Sequence, residues 1–284
     1  MVDSAGREVV RGALAQVGEA LVRMLRQAAP QAPVVGSEWT LVEAASHVAI
    51  VLRAFAGAAR GDGVRELPFD VGDGDFHHRL ALLNGALIST MTDPDPARQL
   101  AVAVGVIEEG LAALLDATAT LDPGAELHTP WYGPGMTRTT DTLTALALGE
   151  VMMHGLDMAR TTQVPWPIER SVALVLVREI ILQMTPLMPT AAGRNAAVSY
   201  RIRWRGAADR QPDLVISFGD GVVSTRETLS RERTDCSLWA RPVGTLLLVY
   251  GRSSVWRQAF TGNVIAWGRR PQAATRLPDL LCQP

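Results

Sequence analysis

The sequence predicts a helical domain followed by a smaller α+β domain, and three observations predict it. Apolar residues recur at helical spacing from the start, as in Val9, Val10, Leu14, Val17, Leu21 and Leu25. After residue 195 the segments SYRIRWRG, DLVISFGDG and GVVSTRE alternate in character and are separated by turn residues, which is the strand pattern. Pro186 and Pro189 punctuate the change between the two regimes. These signals place a helical bundle over residues 1–190 and an α+β domain over residues 195–284.

The elements follow in order. After the first helix, Pro30, Pro33 and Gly36 break the pattern. Thr40 and Glu43 form a capping box before an apolar run, so a second helix starts there and continues through His47 to about Ala59. The Gly- and Asp-rich stretch 61–78 reads as a loop, and its acidic residues do not have the spacing of a calcium-binding EF-hand loop. A third helix is expected from Phe76 to Met91. Asp93-Pro94-Asp95-Pro96 is a turn and helix start, and a fourth helix runs to about Ala117. Residues 121–138 form a Pro- and Gly-containing connector; as a lid over the bundle mouth it would bring His128, Trp131 or Tyr132 near substrate, but ordinary loop packing is the commoner outcome for such residues. A fifth helix spans Thr140 to Thr161 and a sixth starts at Ile168 and ends near Thr185. In the second domain, TDCSLWARP is a further strand, Val243 to Tyr250 a short helix, Asn263 to Trp267 a last strand, and Gln272 to Leu277 a terminal helix stopped by Pro278.

Composition narrows the function classes. A formal net charge of −2 offers no electrostatic case for nucleic acid or an anionic membrane as partner. Two cysteines, Cys236 and Cys282, are too few for a disulfide scaffold and suit a reducing cytoplasm. Charged residues interrupt the N-terminal apolar positions, so no signal-peptide core is expected there. No stretch reads as long and apolar enough to span a bilayer; the nearest, Ser171 to Met188, contains Arg178, Glu179 and Gln183.

The chemistry concentrates in the fifth helix. Glu150 and His154 stand at i and i+4, so they share one face, with Asp157 at i+7 on the same face. The neighbours Leu146, Ala147 and Met153 are apolar, which turns that face inward. A carboxylate placed there needs a partner, and a metal ion held by Glu and His from facing helices is one solution. A plain hydrogen-bonded Glu–His pair fits the same spacing and is the commoner outcome for so short a motif. His47 lies among Ala44, Ala45, Val48 and Val51 in the second helix, where a lone histidine is more often a satisfied core residue than a ligand.

Two segments carry a family resemblance. WTLVEAASH, residues 39–47, and GEVMMHGLDMAR, residues 149–160, resemble the mycothiol-dependent maleylpyruvate isomerase family, with its W-T-x6-H and E-x3-H-G-x-D-x-A-R segments on a DinB-like four-helix bundle. The resemblance implies that His47, Glu150 and His154 are metal ligands. It also implies a C-terminal domain resembling sterol carrier protein 2 and an actinobacterial source. Two His and one Glu leave a coordination position open, the pattern of a catalytic site, and Zn²⁺ suits these donors, with Ni, Co or Fe as alternatives. A thiol bound there loses its proton. The resemblance implies that the thiol is mycothiol. The expected reaction is thiolate addition to a cis double bond, rotation and elimination, or S-transfer to another small-molecule electrophile.

Other residues have weaker assignments. Asp157 is a candidate for orienting His154 or a water, and equally for a helix pair with Arg160 or Thr161. Arg79 and Arg252 are candidates for binding a substrate carboxylate, with Arg269 and Arg270 competing; for any one of them a solvated surface role is the commoner outcome. His77 and His78 are adjacent and make a poor chelating pair. Cys236 and Cys282 are poor candidates for the nucleophilic thiol. A monomer or small homo-oligomer is expected. Two rival readings stand beside the enzyme. One is a non-catalytic protein binding a small molecule or lipid in its C-terminal domain, and the other a sensor or scaffold that kept its metal.

Overall fold

A computed structural model describes residues 4–63, 76–206, 211–230 and 232–282. They fall into two compact units that divide in sequence between Pro167 and Ile168. Residues 64–75 of the acidic loop lie outside the described residues.

The first unit contains α1 (Ser4–Leu25), α2 (Leu41–Arg60), α3 (Phe76–Ser89), α4 (Pro96–Thr120) and α5 (Thr140–Thr162). A two-stranded antiparallel hairpin, β1 (Glu126–His128) with β2 (Thr137–Thr139), lies between α4 and α5. Four helices form a closed ring in the order α1, α4, α2, α5, and α3 is not among them. The helix starts follow local chemistry. The Thr40 backbone N–H donates to Glu43 at 2.7 Å, the reciprocal arm of the capping box. Asp95 accepts from the backbone N–H groups of Ala97 and Arg98, with Pro96 in the first turn. Thr139 accepts from the Thr142 N–H at 3.2 Å.

One expectation about α2 is corrected. Its 20 residues include a window of mean hydropathy 1.4, so by length and composition alone it qualifies as a membrane span. The reason for its apolarity is in the fold: α2 packs against both α4 and α5, and 78% of that window is buried. A helix hidden on most sides has little need of a polar face.

The second unit contains α6 (Arg170–Gln183), α7 (Ala191–Arg194), β3 (Val198–Trp204), β4 (Asp213–Gly219), β5 (Val222–Thr228), β6 (Cys236–Ala240), α8 (Pro242–Val249), α9 (Val255–Phe260), β7 (Val264–Trp267) and α10 (Leu277–Leu280). Its sheet has the order β5-β4-β3-β6-β7, antiparallel except where β3 meets β6. The boundary expected at residues 190–195 is therefore corrected: α6 packs on α8 and β5 and belongs to the second unit. Arg178 of α6 fixes this placement, donating to the Pro212 carbonyl at 3.0 Å and pairing with Glu227 of β5. The terminal helix is also corrected. Residues 271–276 form a 3-10 turn, and Pro278 sits in the first turn of α10, where its missing N–H costs no hydrogen bond.

A cavity of about 340 Å³ in the second unit is lined by residues that include Tyr200, Arg270, Gln272 and Arg276.

Candidate metal centre

His47 arrives from α2, and Glu150 and His154 arrive from its ring neighbour α5. The i,i+4 spacing puts Glu150 and His154 a turn apart on the face of α5 that meets α2. The Nε2 atoms of both histidines lie 3.3 Å from the same atom, Oε2 of Glu150. The imidazole centroids are 4.7 Å apart, in an edge-on arrangement at 65°. One ligand atom from each residue lies within 4.8 Å of the other two, which is the spacing a single small cation requires. Among the described residues this is the one such group of His, Cys, Asp and Glu side chains.

Trp39 forms a wall of the centre. Its indole stacks on His154 at 5.8 Å between centroids and lies tilted against His47 at 5.0 Å. The loop that carries Trp39 is tied down on both sides. The Val34 N–H donates to the Trp39 carbonyl at 2.9 Å. The hydroxyl of Thr161, at the end of α5, donates to the Pro33 carbonyl and accepts from the Val35 N–H. Next to His154 in sequence, Gly155 lets Trp166 approach: a Cβ there would lie 2.2 Å from the indole. The Trp166 ring N–H donates to the Met152 carbonyl at 3.0 Å, which holds the indole in that position.

The electrostatics suit a cation. Burial pushes the His47 imidazole below its ordinary value, overcoming its hydrogen bond to Glu150, which works the other way. His47 is therefore neutral near pH 7, the form that ligates a metal. Burial also works to raise the Glu150 carboxyl. The hydrogen bonds from His154 and His47, with their charge, outweigh it and hold Glu150 well below the usual carboxylate range. Glu150 is thus an anion flanked by two imidazoles whose Nε2 atoms point at it.

The connector forms part of the surroundings. Its hairpin packs on α2 and α5, the two helices that supply the donors. Trp131 stacks on Phe55 of α2 at 5.2 Å. Tyr132 is buried, and burial together with the negative charge of Glu150 raises its phenol far above the ordinary value, so it stays a neutral hydroxyl. The Arg138 guanidinium lies over the Tyr132 ring at 5.3 Å. His128 is exposed on β1.

The remaining expected residues are dispersed. Asp157 is buried and meets Arg160 at 3.6 Å, the helix pair that the sequence also allowed. Arg79 lies in the first turn of α3. Arg252 lies in the second unit, where its guanidinium donates to the Tyr250 carbonyl at 2.5 Å. Cys236 and Cys282 are both free thiols, Cys236 being fully buried. Sequence reasoning named the connector but missed Arg138. The available signal was the alternation Thr137-Arg138-Thr139 across the connector from Leu127, which places a charge on the strand face that an apolar residue shares.

Residues 11–159 match the family model described as the mycothiol maleylpyruvate isomerase N-terminal domain, a span of more than half the chain. The chain belongs to this family. The matched span contains every donor of the centre, together with Tyr132 and Arg138 of the connector. Two solved structures extend the likeness beyond the maleylpyruvate isomerase N-terminal domain. One is a mutant of the mycothiol-dependent maleylpyruvate isomerase, with 14% identity, a TM-score of 0.53 and 92% of each chain covered. The other is the mycothiol-dependent maleylpyruvate isomerase itself, with 16% identity, a TM-score of 0.50 and the same coverage. At these identities the likeness establishes a shared fold across both units. No curated protein matches the chain.

Proposed function

We propose that this member of the maleylpyruvate isomerase family is a metal-dependent enzyme that uses a low-molecular-weight thiol, mycothiol, to isomerise a cis-unsaturated small molecule of the maleylpyruvate type. The observation that carries the reading is the convergence of His47, Glu150 and His154 on one point from two helices. The donor set fits a zinc-class cation, with two imidazole nitrogens and one carboxylate and no fourth protein ligand in the group. When bound, such a cation supplies the positive charge that makes a thiol ionise at neutral pH.

The chain's own residues do the rest. His47, Glu150 and His154 would hold the cation, and Trp39 packs against both imidazole rings. Tyr132, a neutral phenol that feels the charge of Glu150, lies on the connector side. The thiolate adds to one alkene carbon of the substrate, the resulting single bond rotates, and expulsion of the same thiolate leaves the trans alkene, so that no atom is gained or lost. Asp157, three residues beyond His154, is assigned the support of that ring, and Arg252 and Arg79 remain assigned to substrate carboxylates. The second unit is assigned a fold resembling sterol carrier protein 2. The cytoplasm, where a thiol cosubstrate stays reduced, is the compartment proposed.

The test pairs elemental analysis with kinetics. Purified protein should carry close to one zinc-class ion per chain, and His154→Ala should lose it. Maleylpyruvate should convert to its trans isomer only with thiol present, without net thiol consumption. Stoichiometric thiol loss against epoxides or alkyl halides, with no isomerisation, identifies an S-transferase instead. Unchanged metal content in His154→Ala overturns the reading.

A further inference from the structure

Arg138 has an unusual environment for an arginine. It occupies the centre of β2, directly across from Leu127 of β1. In β1 only Leu127 is buried, with Glu126 and His128 exposed, so Leu127 marks the inward face of the hairpin. Cross-strand partners project to the same face, so Arg138 is directed inward too.

The guanidinium is held but not satisfied. Its Nη1 donates to the Thr137 carbonyl at 2.6 Å, which fixes the orientation of the plane. Its Nε and Nη2 are buried and meet no hydrogen-bond partner among the described residues. Buried donors of a charged group are costly to leave unmade. Nε and Nη2 are also a specific pair, the side-on fork that grips a carboxylate with two parallel hydrogen bonds. The same chain shows that use elsewhere: Arg98 donates from Nε and Nη2 to the two oxygens of Asp93, each at 2.7 Å. At Arg138 the fork is present and no carboxylate among the described residues answers it.

The position is next to the chemistry. Arg138 lies over the ring of Tyr132, and Tyr132 lies within reach of the charge on Glu150. We infer that the Nε–Nη2 edge of Arg138 anchors a carboxylate of the substrate beside the His47–Glu150–His154 centre. This rests on the isomerase reading for its setting and narrows the substrate to an anionic electrophile.

Maleate, the simplest cis-dicarboxylate, and its neutral dimethyl ester are the probes, titrated calorimetrically into the full-length metal-loaded protein. Wild type should bind maleate, and Arg138→Gln should bind it at least about tenfold more weakly. Arg138→Lys should also be weakened, because an ammonium cannot form the fork. Dimethyl maleate should not distinguish the three proteins. In case Arg138→Gln misfolds, the Nε–H resonance of Arg138 is followed in wild type and should shift on maleate addition. Equal maleate affinity in wild type and Arg138→Gln overturns the inference, as does no binding to wild type at about 10 mM or an unmoved Nε–H resonance. Metal content measured on the same samples separates the two ideas. A metal-free wild type with an intact maleate contrast defeats the metal reading alone, and a loaded protein without the contrast defeats only the role of Arg138.

Discussion

Oε2 of Glu150 accepts from Nε2 of His47 across 3.3 Å, although 103 residues separate the two in sequence. His154 reaches the same oxygen from one turn further along α5. One carboxylate oxygen thus meets both imidazoles.

Removing that anion should dismantle the centre. Glu150→Gln keeps the shape and loses the charge. Changes to groups that merely orient a metal ligand cost about 10–100-fold in affinity, so loss of a ligand should cost more than about 100-fold. Competition with a chromophoric chelator measures it, and the far-ultraviolet circular dichroism should not change.

Acid should weaken the metal-stripped protein through His47. Its folded value lies below the ordinary 6.5, because burial disfavours the imidazolium. Below 6.5 the unfolded chain therefore binds more protons than the folded one. The stability contributed by neutral His47 is fully present above 6.5 and is lost as pH falls from there toward the folded value. Urea midpoints measured between about pH 8 and pH 5 should decline in that direction, with a shallower decline in His47→Asn.

Gly155→Ala should destabilise the protein by about 1–3 kcal/mol, because the added methyl meets Trp166 in a packed interior. The clash is 2.2 Å to a ring atom rather than to a flexible chain end. Thermal unfolding checks the loss, and a second change, Trp166→Leu, should recover part of it. Metal affinity should fall with the first change, since His154 is the adjacent residue.

The chain's own thiols should stand apart from catalysis. Burial pushes the Cys236 thiol up to about 11. At pH 8 only about one such thiol in a thousand is ionised, so alkylation should be negligible until the protein unfolds. Cys282, half-buried near the chain end, should react first. Mass spectrometry of the alkylated protein reads both sites, and full alkylation at Cys282 should leave thiol-dependent turnover intact.

The residues show which parts of this picture are local. Thr40 and Glu43 announce the start of α2, and the spacing of Glu150 and His154 fixes their shared face; both are short-range facts that a linear text carries. The meeting of His47 with that face depends on α2 and α5 being ring neighbours, which no periodicity encodes, and the family resemblance supplied it. The extra membership of α6 in the second unit was hidden for a similar reason. An amphipathic helix states that it has an apolar face but not which surface covers it, and here α8 and β5 do. The burial of α2 and the isolation of the Arg138 fork are also consequences of packing. Pro278 misled because proline both ends helices and opens them.

A single hydroxyl, that of Thr161, joins the end of α5 to the strand of loop that presents Trp39. The helix that carries two of the three donors is thereby coupled to the indole resting on them. When thermal breathing displaces that end of the helix, lid and floor travel together, and the aperture between them keeps its width. A loss of Thr161 would loosen the clasp without touching any donor, and the result would be a centre of correct composition and fluctuating fit.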